Sequence, residues 1–341
     1  MAENDIWTIK AALDWTVGYL ERKGDENPRI SAQWLLAEAC GLSRIELYTR
    51  LDQPLSMDER GVLRGYVTRR GRGEPLQYIT GEVGFRHISV QVRPGVLIPR
   101  PETEVLVSEA LALLPPAPRP RAKDEEAGAV AEGEAGEAGA ADLPSVDAAP
   151  APAPEPLLVA DLCTGSGCIA CSIAYEHPLA RVFATDIAPE AVSLARENAA
   201  ALGLDGRVSV VECDLGEGVP AEAVGALDLV ASNPPYVPTA VLAGIPREVA
   251  AYEPALALDG GADGLDVFRR LLAFCARALK PGGGFAFELH ETCLDDAARL
   301  ASEAGFADVR TVADLAGRPR VLVGRNARLA AGEPRQPCTL S

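Results

Sequence analysis

Apolar residues at the start of the chain recur every three to four positions: Ile6, Ile9, Leu13, Val17 and Leu20, then Ile30, Trp34, Leu35 and Ala39. That spacing predicts amphipathic helices, with Gly41 as the residue that ends the second. Ser43 and Ser56 are candidate N-caps, and Ser56-Met-Asp-Glu59 has the spacing of a capping box. Residues 1–80 therefore read as a small helical bundle. From Glu82 to Ile98 the period shortens to two, through Val83, Phe85, His87 and Ser89, then Val90, Val92, Val96 and Ile98. This predicts a hairpin or a short strand pair bridging the two domains, with Pro94-Gly95 as a turn. A helical pattern returns from Glu102 to Leu114, so 81–114 is expected to be a hairpin and linker helix.

Pro115 to Pro156 is rich in Ala, Pro, Glu and Gly and nearly devoid of large apolar side chains. Such a segment cannot bury enough surface to offset its chain entropy, so it reads as a disordered acidic insertion, a tolerated loop expansion. Beyond it, strand-like runs (157–163, 181–186, 208–212, 227–232, 284–289, 309–312, 320–323) alternate with helical ones (168–177, 189–202, 266–279, 293–304). The fold class expected is α/β: a doubly wound, seven-stranded, mostly parallel sheet over 157–326, with the helical bundle in front and a flexible tail at 327–341. Ligands of such sheets bind beyond the carboxyl ends of the strands.

Composition narrows the partners. The 341 residues carry 32 Lys and Arg against 49 Asp and Glu, a net charge of −17, and 48% are apolar. This is globular composition, with length for two domains. The charge opposes any partner held by phosphate neutralisation, so no direct nucleic-acid contact is expected. Apolar stretches stop short of the roughly 18 residues a membrane span needs, and the acidic N-terminus does not resemble a secretory leader. No membrane association is expected. The eight cysteines are irregularly spaced and suit buried thiols in a reducing cytoplasm. Cys168-x-x-Cys171 lacks a second ligand pair, and His87, His177 and His290 have no ligand spacing, so no metal is expected.

The chemistry sits at the strand ends. Asp161-Leu-Cys-Thr-Gly-Ser-Gly167 closes one strand and opens a helix, a place where glycines let a ligand approach the backbone. The same letters fit a dinucleotide fingerprint or a plain tight turn. Asp186, ending the next strand, is an acceptor for ribose hydroxyls or else a helix cap. Asn233-Pro234-Pro235-Tyr236, directly after strand 227–232, is more specific. Two prolines remove donors and stiffen the loop, so the Asn233 side-chain oxygen and the Pro234 carbonyl can serve as paired acceptors for a planar –NH2 that Tyr236 covers.

These residues resemble class I S-adenosylmethionine-dependent methyltransferases acting on an exocyclic or amide nitrogen. Within that class, four further stretches resemble the release factor glutamine methyltransferases: Gly73-Glu-Pro-Leu-Gln-Tyr-Ile-Thr-Gly81, Val96-Leu-Ile-Pro-Arg-Pro-Glu-Thr-Glu104, Glu253-Pro-Ala-Leu-Ala-Leu-Asp-Gly-Gly261 and Asp314-Leu-Ala-Gly-Arg318. The resemblance implies S-adenosyl-L-methionine as cofactor, held by Cys163, Thr164, Gly165, Ser166 and Gly167, with Asp186 on the ribose, Asp214-Leu215 beside the adenine, and Asn233 touching it. It implies that Asn233, Pro234, Pro235 and Tyr236 bind the substrate, with Asn233, Pro234 and Tyr236 catalytic. The implied substrate is the Gly-Gly-Gln glutamine of class 1 peptide chain release factors, docked through the N-terminal bundle. Two departures from the family pattern stand out. Cys163 replaces a loop glycine, so φ there should be negative or strained, and Leu215 offers aliphatic contact where an aromatic can stack. Val237–Gly264 is expected to act as a lid, and Arg100, Glu102 and Thr103 either line the entrance or tie the linker to the sheet. The alternatives are a ribosomal-protein glutamine methyltransferase, a nucleic-acid N(6)-adenine methyltransferase, and a non-catalytic cofactor-binding module.

Overall fold

The computed structural model describes residues 7–117 and 155–327. The expectations for residues 1–6, for the 118–154 part of the acidic insertion and for 328–341 lie outside the described residues. Five helices come first: α1 (Ile9–Arg22), α2 (Pro28–Cys40), α3 (Arg44–Thr49), α4 (Met57–Arg70) and α5 (Leu76–Thr80). Ser43 and Ser56 both form complete capping boxes, with Glu46 and Glu59, and α2 stops at Gly41 in the left-handed region (φ 61°). Leu13, Leu20, Leu35, Leu36, Leu47 and Val67 fill the bundle core. Ile30 and Trp34 do not join it. The inner face of α2 is built on Ala32, Leu35 and Leu36, which turns those two outward, and the Arg44 guanidinium lies 5.3 Å from the Trp34 ring centroid.

The hairpin β1 (Glu82–Phe85) and β2 (Ile88–Gln91) turns at Arg86-His87, not at Pro94-Gly95. Arg86 takes φ 52° without the glycine that normally signals such a turn. Its guanidinium is gripped by both oxygens of Glu176 at 2.6 and 2.7 Å and its backbone N–H by Glu104, so distant contacts hold this turn. Pro94-Gly95 instead bends the chain past the cleft described below. Next come α6 (Thr103–Leu113), β3 (Leu157–Leu162), α7 (Cys168–Glu176), β4 (Ala180–Asp186), α8 (Pro189–Ala201), β5 (Val208–Glu212) and β6 (Leu227–Ser232). The short α9 (Arg247–Tyr252) precedes α10 (Asp266–Ala278), β7 (Leu279–Glu288), α11 (Leu294–Glu303), β8 (Phe306–Ala313) and β9 (Pro319–Asn326).

The seven-stranded sheet has the order β5-β4-β3-β6-β7-β9-β8, parallel except where β9 pairs with β7 and β8. This is the doubly wound, mostly parallel seven-stranded sheet that the alternation of strands and helices predicts. Alternate residues of β3 feed opposite cores: Val159 packs with α6, α7 and α8, while Ala160 and Leu162 pack with α10 and α11. Strand order reverses between β3 and β6, which opens a crevice at their carboxyl ends. Among the described residues no helix is long and apolar enough to cross a membrane.

Candidate active site

A cleft of about 210 Å³ occupies that crevice. Its floor is the loop after β3, and its walls come from Gly95–Arg100, Asp186–Ala188, Asp214-Leu215 and Pro254–Ala257. The Asp186 carboxylate ties the floor to one wall, accepting the Gly165 N–H at 2.9 Å and the Ala188 N–H at 3.0 Å. Burial raises its pKa above the ordinary aspartate value, and those backbone bonds partly offset the rise. Asp161 lies wholly buried beneath the loop, where it accepts from Thr164 Oγ1 (2.5 Å) and the Ala170 N–H (3.1 Å). Burial pushes it up to about 7. Its Oδ1 is buried with no protein partner.

Asn233 sits where β6 ends, between this cleft and an adjoining pocket of about 130 Å³ that Tyr236, Val237 and Leu258 help to line. Arg100 borders both spaces, and one of its nitrogens reaches both oxygens of the buried Glu253 at 2.7 and 2.6 Å. The Asn233 amide is held from behind: Nδ2 donates to Thr103 Oγ1 (3.2 Å), Thr103 donates to Glu288 Oε2 (2.6 Å), and Tyr236 Oη donates to Glu288 Oε1 (2.9 Å). Burial raises the Glu288 pKa, opposed by the bonds from Thr103 and Tyr236 and by the charge of Arg320. Burial, followed by the Glu288 charge, raises the Tyr236 phenol in turn, keeping it a neutral donor. Two glycines press on the loop from outside. A Cβ on Gly260 would lie 2.7 Å from Tyr236 Cα, and one on Gly264 would lie 2.5 Å from the Tyr236 carbonyl oxygen.

Of the residues singled out from sequence, Cys163, Thr164, Gly165, Ser166, Asp186, Leu215, Asn233 and Pro235 line the cleft, and Tyr236 lines the adjoining pocket. Gly167 and Pro234 line neither. Gly167 (φ 80°) instead lets α7 start close against α8, since a Cβ there would meet the Ala195 Cβ at 3.1 Å. Arg100 and Thr103 border the cleft; Glu102 precedes α6 and does not.

Residues 11–81 match the family model described as PrmC N-terminal domain, and residues 152–243 match the Methyltransferase small domain. A curated release factor glutamine methyltransferase of Geobacter sulfurreducens is 39% identical over 321 residues, covering 94% of this chain and 98% of the relative. The chain belongs to the release factor glutamine methyltransferase family. Relatives with the same description from Moorella thermoacetica (38% identity; 92% of this chain, 96% of the relative) and Caulobacter vibrioides (36%; 93% and 96%) agree.

One feature of this chain was hidden in its sequence. Glu288 ends an apolar strand, where a carboxylate reads as the point at which the strand reaches solvent; only the three-dimensional pairing with Thr103 and Tyr236 reveals its place. Cys163 adopts φ 60° and Leu215 φ 47°, so the strained alternative holds at Cys163. Cys163→Gly is expected to relieve about 1–2 kcal/mol of backbone strain and to lose up to about 1 kcal/mol to unfolded-chain entropy. The net result is a variant between equal to and about 2 kcal/mol more stable than the parent by denaturant unfolding.

Proposed function

We propose that this protein transfers a methyl group from S-adenosyl-L-methionine to the side-chain amide nitrogen of the glutamine in the Gly-Gly-Gln motif of class 1 peptide chain release factors. One observation carries the reading: an asparagine amide, anchored through its nitrogen, stands at the junction of a nucleoside-sized cleft and a smaller pocket that has a tyrosine in its wall. The cleft suits the cofactor on two counts. Asp186 offers carboxylate oxygens at the edge, and Ile187, Leu215 and Val267 give apolar contact for a base. Cys163–Ser166 would hold the amino-acid part, with Gly167 shaping the turn behind them, Asp186 on the ribose and Leu215 on the adenine.

When bound, S-adenosylmethionine supplies a methyl group on a sulfonium, already a strong electrophile. The protein's task is alignment. Asn233 Oδ1 and the Pro234 carbonyl accept the two hydrogens of the substrate –NH2, while Pro235 and Tyr236 confine the flat carboxamide. Positioning of this kind can supply several kcal/mol of a barrier. An amide nitrogen is a poor nucleophile, and it gains positive charge only as the new bond forms. Acceptor bonds to its hydrogens strengthen as that happens, which favours the transition state over the ground state. Proton loss follows transfer, so no general base is required. Arg100, locked to Glu253, closes the rim against water. In this reading residues 1–80 dock the release factor and 157–326 perform the transfer. Mass spectrometry of a purified release factor incubated with the enzyme and S-adenosylmethionine should find one added methyl on the Gly-Gly-Gln glutamine. An unmodified glutamine, or a methyl elsewhere, defeats the proposal.

A further inference from the structure

We infer that Thr103 is a positioning residue that selects which end of the Asn233 amide faces the substrate, with Glu288 fixing its polarity. The inference deepens the reading above and rests on it for its catalytic consequence, although not for its geometry. An asparagine amide has two ends of nearly equal size and opposite function, one oxygen acceptor and one nitrogen donor, and what surrounds it decides which way it lies. A carboxamide substrate presents N–H groups, so it needs the oxygen. Presented the other way round, Asn233 would set donor against donor.

Thr103 settles the choice through a count of protons. It is 2% exposed at the start of α6, and its hydroxyl has a single hydrogen. Glu288 Oε2 takes that hydrogen at 2.6 Å, while Glu288 Oε1 is occupied by the Tyr236 hydroxyl at 2.9 Å. With both carboxylate oxygens accepting, the Thr103 oxygen is left with only lone pairs toward Asn233. The 3.2 Å contact is therefore favourable only when Asn233 brings its Nδ2, and Oδ1 then points away from Thr103. A reversed amide would bring two oxygens together in a buried place, where an unpaired polar group is costly. The device links α6, β7 and the loop after β6, three segments far apart in the chain.

Thr103→Val keeps the shape and removes the acceptor. It is expected to lower kcat by about 10- to 100-fold, the scale of a misplaced reacting group, with the dissociation constant for S-adenosylhomocysteine, an unreactive cofactor analogue, held within about threefold of the parent. Thr103→Ser, which retains the hydroxyl, should recover most of the lost turnover. A second readout needs no catalysis: in NMR spectra the Asn233 side-chain N–H protons should exchange with water more slowly than those of an exposed asparagine, and Thr103→Val should abolish that protection where Thr103→Ser preserves it. Parental kcat in Thr103→Val, or an unprotected Asn233 amide in the parent, overturns the inference. If Thr103→Val does not fold, exchange in the parent and in Thr103→Ser decides. A parent that shows the protected amide yet methylates no release factor refutes the proposed function and leaves this orientation standing.

Discussion

Asn233→Ala is expected to cut kcat by about two to three orders of magnitude while changing cofactor affinity by no more than about threefold, the pattern produced when a group serves the transition state more than the ground state. The side chain lies at the meeting point of the two cavities and is braced by Thr103, so truncation removes an aligned acceptor and also leaves the Thr103 oxygen without its donor. Backbone acceptors such as the Pro234 carbonyl would survive the change, because the loop is stiffened by two consecutive prolines rather than by this side chain. Steady-state methylation of a release factor, paired with calorimetric titration of S-adenosylhomocysteine, separates the two effects. Turnover near the parental rate would remove Asn233 from the mechanism.

Asp186→Asn should do the reverse and weaken cofactor binding. The aspartate accepts two backbone N–H groups, one through each oxygen, and burial keeps it largely from water. Asparagine has a single oxygen, so its –NH2 must face either the Gly165 or the Ala188 N–H, donor against donor. Losing one charge-assisted bond and leaving a donor unsatisfied costs about 2–3 kcal/mol; because these bonds tie the Gly165 loop to the cleft wall, cofactor affinity should fall, by at most roughly 30- to 150-fold. The parent should also carry a pH signature. Because the folded-state pKa of Asp186 is raised, its carboxylate is lost on acidification at a higher pH than for an ordinary aspartate. Cofactor affinity should therefore fall as pH drops through that raised value. Calorimetry across pH is expected to show a shallower decline in Asp186→Asn than in the parent, the remainder belonging to Asp161 beneath the same loop; an identical decline in both would assign it wholly to another group.

Much of this architecture was legible before any coordinates, because local chemistry wrote it. Strand and helix periods changed where the sheet begins, Ser56 and Ser43 announced their helices, and Asn233–Tyr236 is a local motif whose stiffness is written in its prolines. What escaped depends on partners distant in sequence. Arg86 tolerates a left-handed turn because Glu176 and Glu104 hold it. Trp34 lies outside the bundle because Ala32, Leu35 and Leu36 form the inner face of α2, and Glu288 is buried because two hydroxyls satisfy it. The period of an amphipathic helix reports that a face is apolar, not which of two apolar flanks a neighbouring chain leaves bare. Gly167 illustrates a related point: the letter signals a left-handed turn, and only the fold shows that the same glycine also lets α7 pack close against α8.

Gly260 and Gly264 carry a consequence for how such enzymes can fail. Each leaves just enough room for the Tyr236 main chain, so any larger residue at either place would shove the acceptor loop sideways from behind. A descendant of this chain could thus preserve Asn-Pro-Pro-Tyr letter for letter and still be inert, silenced by a single methyl group more than twenty residues downstream. Competence is a property of the loop together with its backing, and a census that scores the four-letter signature alone will count dead copies among the living.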